Sequence, residues 1–572
     1  MTILLDLTLP RTLDALVQRF SIGHDGAHVE AWVFEDVAAR REAEARLAAA
    51  GVQARFRSAY KPLVHHFIDE APQRVKAATI GLPTHAAAPA ERFRLEAYPL
   101  AGMLAGATLA FERGSDPLAY TVRVDGVEDS VFAPNRLHTD HLGNDSLTPC
   151  GWVRVWDASG ALVDDGPVET EYEAAFAAIM GVLAAHDWPA TTPFFNVLDI
   201  TARIPGIERP LPYGDEVLST AEALHEDLYF SILELMKHRA GLPTADRTLQ
   251  PGQIVPDVVC GDGPARVMVR LRSGSADDTS LTGPARLADA DRPLSSRQIA
   301  TELATLGGEV RDIRSVQGRP LAARIFDGTG PAVLLSAGQH ANETSGVVGA
   351  LRAAQKLRAE GQRFAFIPVE NPDGYALHHT LRANNPRHMH HAARYSALGD
   401  DVESREGDVL HEKAARLALI RETGATLHLN LHGYPAHEWT RPLSGYLPRG
   451  FELWTIPKGF FLILRYLPGY EAQARPFLEA LTAELATDPA LAAFNATQLA
   501  TWSAHASAIP FPVINGIPCQ IGESTRQTVP LQLITEYPDE TIYDDAFRLA
   551  HTTQMRTALA SIALLRDGAL TG

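Results

Sequence analysis

Pro331-Ala332-Val333-Leu334-Leu335-Ser336-Ala337-Gly338-Gln339-His340-Ala341-Asn342-Glu343-Thr344 decides the architecture of this chain. Its first seven residues form an apolar run of strand length, and from Thr344 to Glu360 apolar residues recur at helical spacing until Gly361 stops them. The pattern predicts a buried strand, a turn and a helix, with His340 and Glu343 at the junction. Imidazole nitrogen and carboxylate oxygen are donors that zinc accepts, and a catalytic zinc keeps three protein ligands and one open position. Taken alone, the pair also suits a helix cap, so a third ligand on a neighbouring strand decides between the two.

Ala425-Thr426-Leu427-His428-Leu429-Asn430-Leu431-His432-Gly433-Tyr434 offers that ligand: its alternation predicts a strand ending on His432, with Gly433 opening the loop beyond. Phe364 to Val369 reads as another strand, followed by Glu370-Asn371-Pro372-Asp373-Gly374-Tyr375, in which Asn-Pro-Asp-Gly is turn chemistry. Leu531 to Pro538 is a further strand that ends in a carboxylate, Glu536. Ligands at the carboxyl ends of strands lie where open α/β sheets place their sites.

In this order, HxxE, NPDG, a strand-end His and a strand-end Glu, residues 300 to 565 resemble the carboxypeptidase A-like zinc metallocarboxypeptidases. The resemblance implies an α/β fold, a mixed but mostly parallel sheet with helices on both faces. It implies one zinc ion on His340, Glu343 and His432, with Glu536 as general base. It also implies an arginine for the oxyanion, and Arg382 lies a short loop after NPDG, where the family places one. The interval from Glu343 to His432 is short for the digestive enzymes and is similar to that of the aspartoacylase and succinylglutamate desuccinylase branch.

Two features depart from the family pattern. The Asn-Arg pair that clamps the substrate's terminal carboxylate, usually after Asp-Leu, corresponds here to Leu398-Gly399-Asp400-Asp401-Val402-Glu403. Asp401 and Glu403 then either recognise a basic or amino-bearing substrate group or face water. A clamp would have to come from Arg387, Arg394 or Arg405, among which spacing does not choose. No tyrosine occurs between Thr501 and Arg526, where the family carries a phenol before its general base. Tyr434 and His437-Glu438-Trp439 are candidates for the cleft wall, whereas His388-Met389-His390-His391 reads as solvated or hydrogen-bonding histidine.

The remainder of the 572 residues sets limits. A formal net charge of −18 argues against a nucleic-acid or anionic-membrane partner, since binding phosphate needs clustered Lys and Arg. Three scattered cysteines make no disulfide framework, and the N-terminus has no basic residue before its short apolar patch, so a cytoplasmic location is expected. Pattern changes divide the chain into residues 1–70, a small α+β module; 71–290, a mixed β-rich and helical accessory domain; and 291–572, the zinc carboxypeptidase-like domain. Ser273 to Asp291, rich in Ser, Asp and Gly, reads as the linker. The expected activity is zinc-dependent hydrolysis of an amide bond near the end of a peptide or acylated amino acid. The alternatives are an N-acyl amino acid deacylase of the aspartoacylase type and an inactive zinc-binding protein. The sequence sets no oligomeric state.

Overall fold

The structure is a computed structural model that describes residues 1–71, 74–274, 286–449, 454–506 and 508–570. Among these residues the largest sheet has nine strands, in the order Glu309–Val310, Arg324–Phe326, Gln362–Ile367, Thr329–Ala337, Leu427–Tyr434, Leu531–Pro538, Phe461–Tyr466, Ile517–Glu523 and Val513–Ile514. Its central four strands, from Gln362–Ile367 to Leu531–Pro538, run parallel. Outside them the chain reverses: Arg324–Phe326 is antiparallel to Gln362–Ile367, and Phe461–Tyr466 is antiparallel to Leu531–Pro538. The sheet is therefore mixed rather than mostly parallel. One reversal has a local cause, because Asn515 and Gly516 both take positive φ (50° and 80°) and fold Val513–Ile514 back on Ile517–Glu523 as a tight hairpin.

Period-two alternation along the central strands sorts their side chains into two cores. Val333, Leu335 and Ala337 pack with Val347 and Leu351 of helix Ser345–Ala359 and with Ala558 and Ile562 of helix Asp544–Arg566. Leu334 points the other way, toward Ala415, Leu419 and Ile420 of helix Glu412–Thr423. Helices thus cover both faces. Every residue of Leu427–Tyr434 is buried, which suits a central parallel strand with helices above and below it.

Residues 1–70 do not form a sheet of their own. Strand Thr2–Leu9 pairs with Ala265–Arg272, and His28–Val33 pairs with Gly151–Trp156, so the first 70 residues share sheets with the region that follows. Partners this distant in sequence leave no local trace, which is why the pattern suggested a separate module. Of the linker expected over 273–291, residues 275–285 lie outside the described residues.

Helix Thr220–Arg239 joins the N-terminal half to the C-terminal one, and it is buried along most of its length despite its acids. Each acid meets a partner from the far half. Glu222 takes His437 Nε2 at 2.7 Å, Glu226 takes His391 Nδ1 at 2.6 Å, and Glu234 takes Arg441 Nη1 at 2.6 Å. Asp227 accepts the Leu443 N–H at 2.7 Å and the Ser444 hydroxyl at 2.6 Å. Charges this deep are tolerated only with such partners, and removing one of a pair costs about 3–5 kcal/mol. No helix among the described residues is long and apolar enough to cross a membrane.

Helices Ser345–Ala359 and Asp544–Arg566 approach closely at Gly349, where an added Cβ would lie 2.5 Å from Gln554 Cβ and 3.0 Å from the His551 carbonyl oxygen. Gly349→Val should therefore lower the unfolding free energy by about 1–3 kcal/mol through overpacking. A denaturant midpoint equal to wild type would contradict this contact.

Candidate metal centre

His340 and Glu343 lie in the turn between Thr329–Ala337 and Ser345–Ala359, and His432 lies near the end of the adjacent strand. His340 Nδ1 is 2.7 Å from Glu343 Oε1, His432 Nδ1 is 2.9 Å from Glu343 Oε2, and the two Nδ1 atoms are 3.1 Å apart. All three residues are buried, and they form the one group among the described residues whose donor atoms could hold a metal ion. Two imidazole nitrogens at this separation can share only one proton, whereas a central cation takes both lone pairs and the carboxylate charge. Donors about 2.0–2.2 Å from zinc in a tetrahedron stand roughly 3.3–3.6 Å apart, so these three need to open by only a few tenths of an ångström to receive one. The set fits one zinc ion.

The surroundings hold Glu343 and His432 in the ionisation states that ligation needs and shift His340 the other way, toward the protonated ring whose proton a metal ion would displace. Burial alone would raise the Glu343 carboxyl, but His340 and His432 hold it well below the usual carboxylate range. Burial lowers His432 and keeps its ring neutral. Burial and Arg394 lower His340, yet Glu343 and Asp401 raise it overall. The Gly433 N–H donates to Glu343 Oε2 at 3.0 Å, and only glycine fits there because an added Cβ would lie 1.9 Å from Asp539 Oδ1.

Glu536 stands opposite His432 in register on the next parallel strand, so both side chains project from the same face. Burial pushes its carboxyl far above the usual range, and the Glu343 charge adds to this. A cavity of about 460 Å³ opens over the group and brings together His340, His432, Glu536, Arg394, Asp401, Glu403 and Tyr434. The Tyr434 ring forms part of its wall, while its hydroxyl donates to the Gly459 carbonyl at 2.6 Å and accepts the Lys458 N–H at 2.9 Å.

The arginines are placed differently from the sequence expectation. Arg382 does not line the cavity, because helix Pro372–Asn384 runs on past NPDG and carries it to its last turn. Arg394 is there instead, with Nη1 2.7 Å from Glu343 Oε1. NPDG contributes indirectly: Asn371 caps that helix by accepting the Gly374 N–H at 2.9 Å, and its amide donates to the Tyr395 carbonyl at 3.1 Å, pinning the segment that carries Arg394. Arg387 is exposed near Asp215, and Arg405 is buried between Asp400 and Glu412; neither reaches the cavity.

Asp401 and Glu403 line the cavity, but neither holds an uncommitted charge. Asp401 Oδ2 is 3.6 Å from His340 Nε2 on the side of the ring away from the metal group, and Glu403, though exposed, is paired with Arg416. A carboxylate behind a metal-binding imidazole fixes the ring's orientation and tautomer. Both acids thus line the cavity with partners from this chain already beside them. Arg416 itself has no signature in the sequence. It is buried, and its Nη2 lies 2.6 Å from both Gln339 Oε1 and Glu370 Oε2, while Asn430 Nδ2 donates to the same Gln339 oxygen at 3.0 Å. The polar row His428, Asn430, His432 at period two was the one legible sign of this network.

His388 to His391 are buried rather than solvated. His388 lies 3.1 Å from both Glu208 and Ser219, and His391 meets Glu226 of the long acidic helix. His437 is held by Glu222 and does not line the cavity. Against the effect of burial, that carboxylate lifts its pKa to about 9.

Residues 308–404 match the family model described as zinc carboxypeptidase. This segment is zinc carboxypeptidase-like. The match takes in His340, Glu343, NPDG and Asp401 and stops short of His432 and Glu536. No curated protein matches the chain. Among solved structures, a metallo-carboxypeptidase from Burkholderia cenocepacia is 15% identical, with 54% of this chain and 76% of that one covered and a TM-score of 0.31. A succinylglutamatedesuccinylase/aspartoacylase from Rhodobacter sphaeroides is 16% identical over 46% of this chain and 64% of that one, with a TM-score of 0.27. Similarity of this degree fixes no residue's role in the zinc carboxypeptidase-like segment.

If Asp401 orients His340, Asp401→Ala should weaken zinc binding by roughly 10–100-fold. Competition against a chromophoric chelator measures this, with Glu403→Ala expected to match wild type. Equal affinity in Asp401→Ala would show that this carboxylate does not position the ligand.

Proposed function

We propose that this chain is a zinc-dependent hydrolase that cleaves an amide bond near the end of a peptide or of an acylated amino acid. The observation that carries the reading is Glu536, paired in register with His432 and facing the cavity over the His340, Glu343 and His432 group. A zinc ion held by those three residues would supply hydroxide near neutral pH and polarise the scissile carbonyl.

The chain's own residues account for the rest of the chemistry. Glu536 accepts the proton of the attacking water and delivers it to the leaving nitrogen, and its raised pKa brings its basicity toward the working range of a general base. Arg394 provides a fixed guanidinium beside the group, a donor for the oxygen on which negative charge develops. Tyr434, Trp439 and Trp454 give the cavity an aromatic wall that limits water.

A panel of short peptides and N-acyl amino acids, assayed with and without a chelator, tests the reading. Turnover should vanish on chelation and return with zinc. Glu536→Gln should keep its zinc and lose about 10²–10⁴-fold in kcat, since the water's proton then has no acceptor. A loss of only a few-fold would assign the base to another residue.

A further inference from the structure

Gln339 lines the metal cavity, and its neighbours dictate which end of its amide faces inward. Arg416 Nη2 lies 2.6 Å from Gln339 Oε1, and a guanidinium only donates, so that atom is the carbonyl oxygen. Arg416 is held in turn by Glu370 and Glu403 and does not itself line the cavity. The Gln339 oxygen is therefore turned away from the cavity and its NH2 group toward it.

The assignment propagates across the sheet. Asn430 donates to the same oxygen through Nδ2 at 3.0 Å, which leaves its Oδ1 to accept the Ser336 hydroxyl at 3.0 Å. Ser336 Oγ then accepts from His428 Nε2, 2.8 Å away, and His428 Nδ1 accepts from Gln532 Nε2 at 3.2 Å. Burial keeps His428 neutral, as this alternation of donor and acceptor requires. A reversed Gln339 amide would set N–H against N–H at Arg416, so one guanidinium fixes the direction of the whole row.

On its other side, Gln339 Nε2 lies 3.5 Å from His340 Nε2. With His340 Nδ1 turned to Glu343 and His432, Nε2 is the protonated ring nitrogen, and it faces Asp401 Oδ2 at 3.6 Å. Two N–H groups do not bond each other. Among the described residues the Gln339 amide thus presents a donor to the cavity for which this chain supplies no acceptor.

Position and charge decide what that donor can hold. It stands beyond the imidazole from the metal group, so an oxygen held there belongs to the unit next to the scissile amide rather than to the carbonyl that a metal ion polarises. Asp401 lies on the same side of the ring, which repels a carboxylate and leaves a neutral carbonyl as the favoured acceptor.

Resting on the hydrolase reading, we propose that Gln339 is a specificity-determining residue that donates a hydrogen bond to a neutral carbonyl oxygen of the substrate, one unit removed from the scissile amide. Arg416 is the positioning residue that aims it.

Three compounds locate that oxygen: acetyl-Gly-Phe amide, with a carbonyl on both sides of the Gly-Phe bond; pentanoyl-Phe amide, which lacks the one on the acyl side; and acetyl-Gly-phenethylamide, which lacks the one on the leaving side. Calorimetry measures their binding to zinc-loaded Glu536→Gln, and kcat/KM is measured in the wild type. Removal of one of the two carbonyls should weaken binding about three- to tenfold, the scale of one neutral hydrogen bond, and the compound affected names the side. Gln339→Glu keeps an oxygen for Arg416 and Asn430 but replaces the donor with an acceptor, so the difference between the compounds should vanish while a chelator titration shows zinc still bound. Gln339→Met should erase it as well, and Arg416→Lys should lower it only in part.

Equal binding of all three compounds, or binding of none, overturns the proposal, as does a preference that survives both Gln339 variants. Selective binding that depends on Gln339, with no turnover by the wild type, sinks the hydrolase reading and keeps the donor site. Turnover that does not distinguish the three compounds keeps the hydrolase and removes the donor site.

Discussion

His340 Nδ1, His432 Nδ1 and the Glu343 carboxylate point into one buried volume, and the rest of the C-terminal half is arranged to hold them there. Two imidazole nitrogens facing each other across 3.1 Å make a poor contact for a protein interior unless a cation or a shared proton stands between them. Their convergence follows from the sheet. Parallel neighbours end on the same edge, so the turn after Thr329–Ala337 and the end of Leu427–Tyr434 arrive together. The register of the next strand then sets Glu536 beside His432.

Support for the group comes from three directions. Asp401 backs His340, the Gly433 N–H anchors Glu343, and Asn371 fixes the segment from which Arg394 reaches it. Behind the turn, Arg416 ties Gln339 to Glu370 in a layer where an unpaired charge would be costly. The acidic helix Thr220–Arg239 extends the same logic to the N-terminal half, because its buried carboxylates find partners at His391, His437 and Arg441. Folding of the two halves is thereby coupled to the loops around the cavity.

The strand, turn and helix from Pro331 to Glu360 were legible because strong periodicity, a short turn and metal-type side chains fall in one stretch. His432 and Glu536 were placed by strand ends. The arginines were not, since assigning Arg382 required the length of a helix that NPDG only begins, and the chain returns to the cavity at Arg394. Asp401 was read as either a substrate group or a solvated one because sequence shows its charge but not the imidazole it faces. Residues 1–70 were separated from their neighbours for a similar reason: Thr2–Leu9 finds its partner more than 250 positions away, beyond any local pattern.

The metal centre is the claim on which the others stand, and anomalous diffraction at the zinc edge from crystals of the protein as purified tests it most directly. The account predicts one strong peak between His340 Nδ1, His432 Nδ1 and the Glu343 carboxylate, with Glu536 facing it from the neighbouring strand. Data that show no peak there, or a peak held by other residues such as the histidines at 388 to 391, would contradict it.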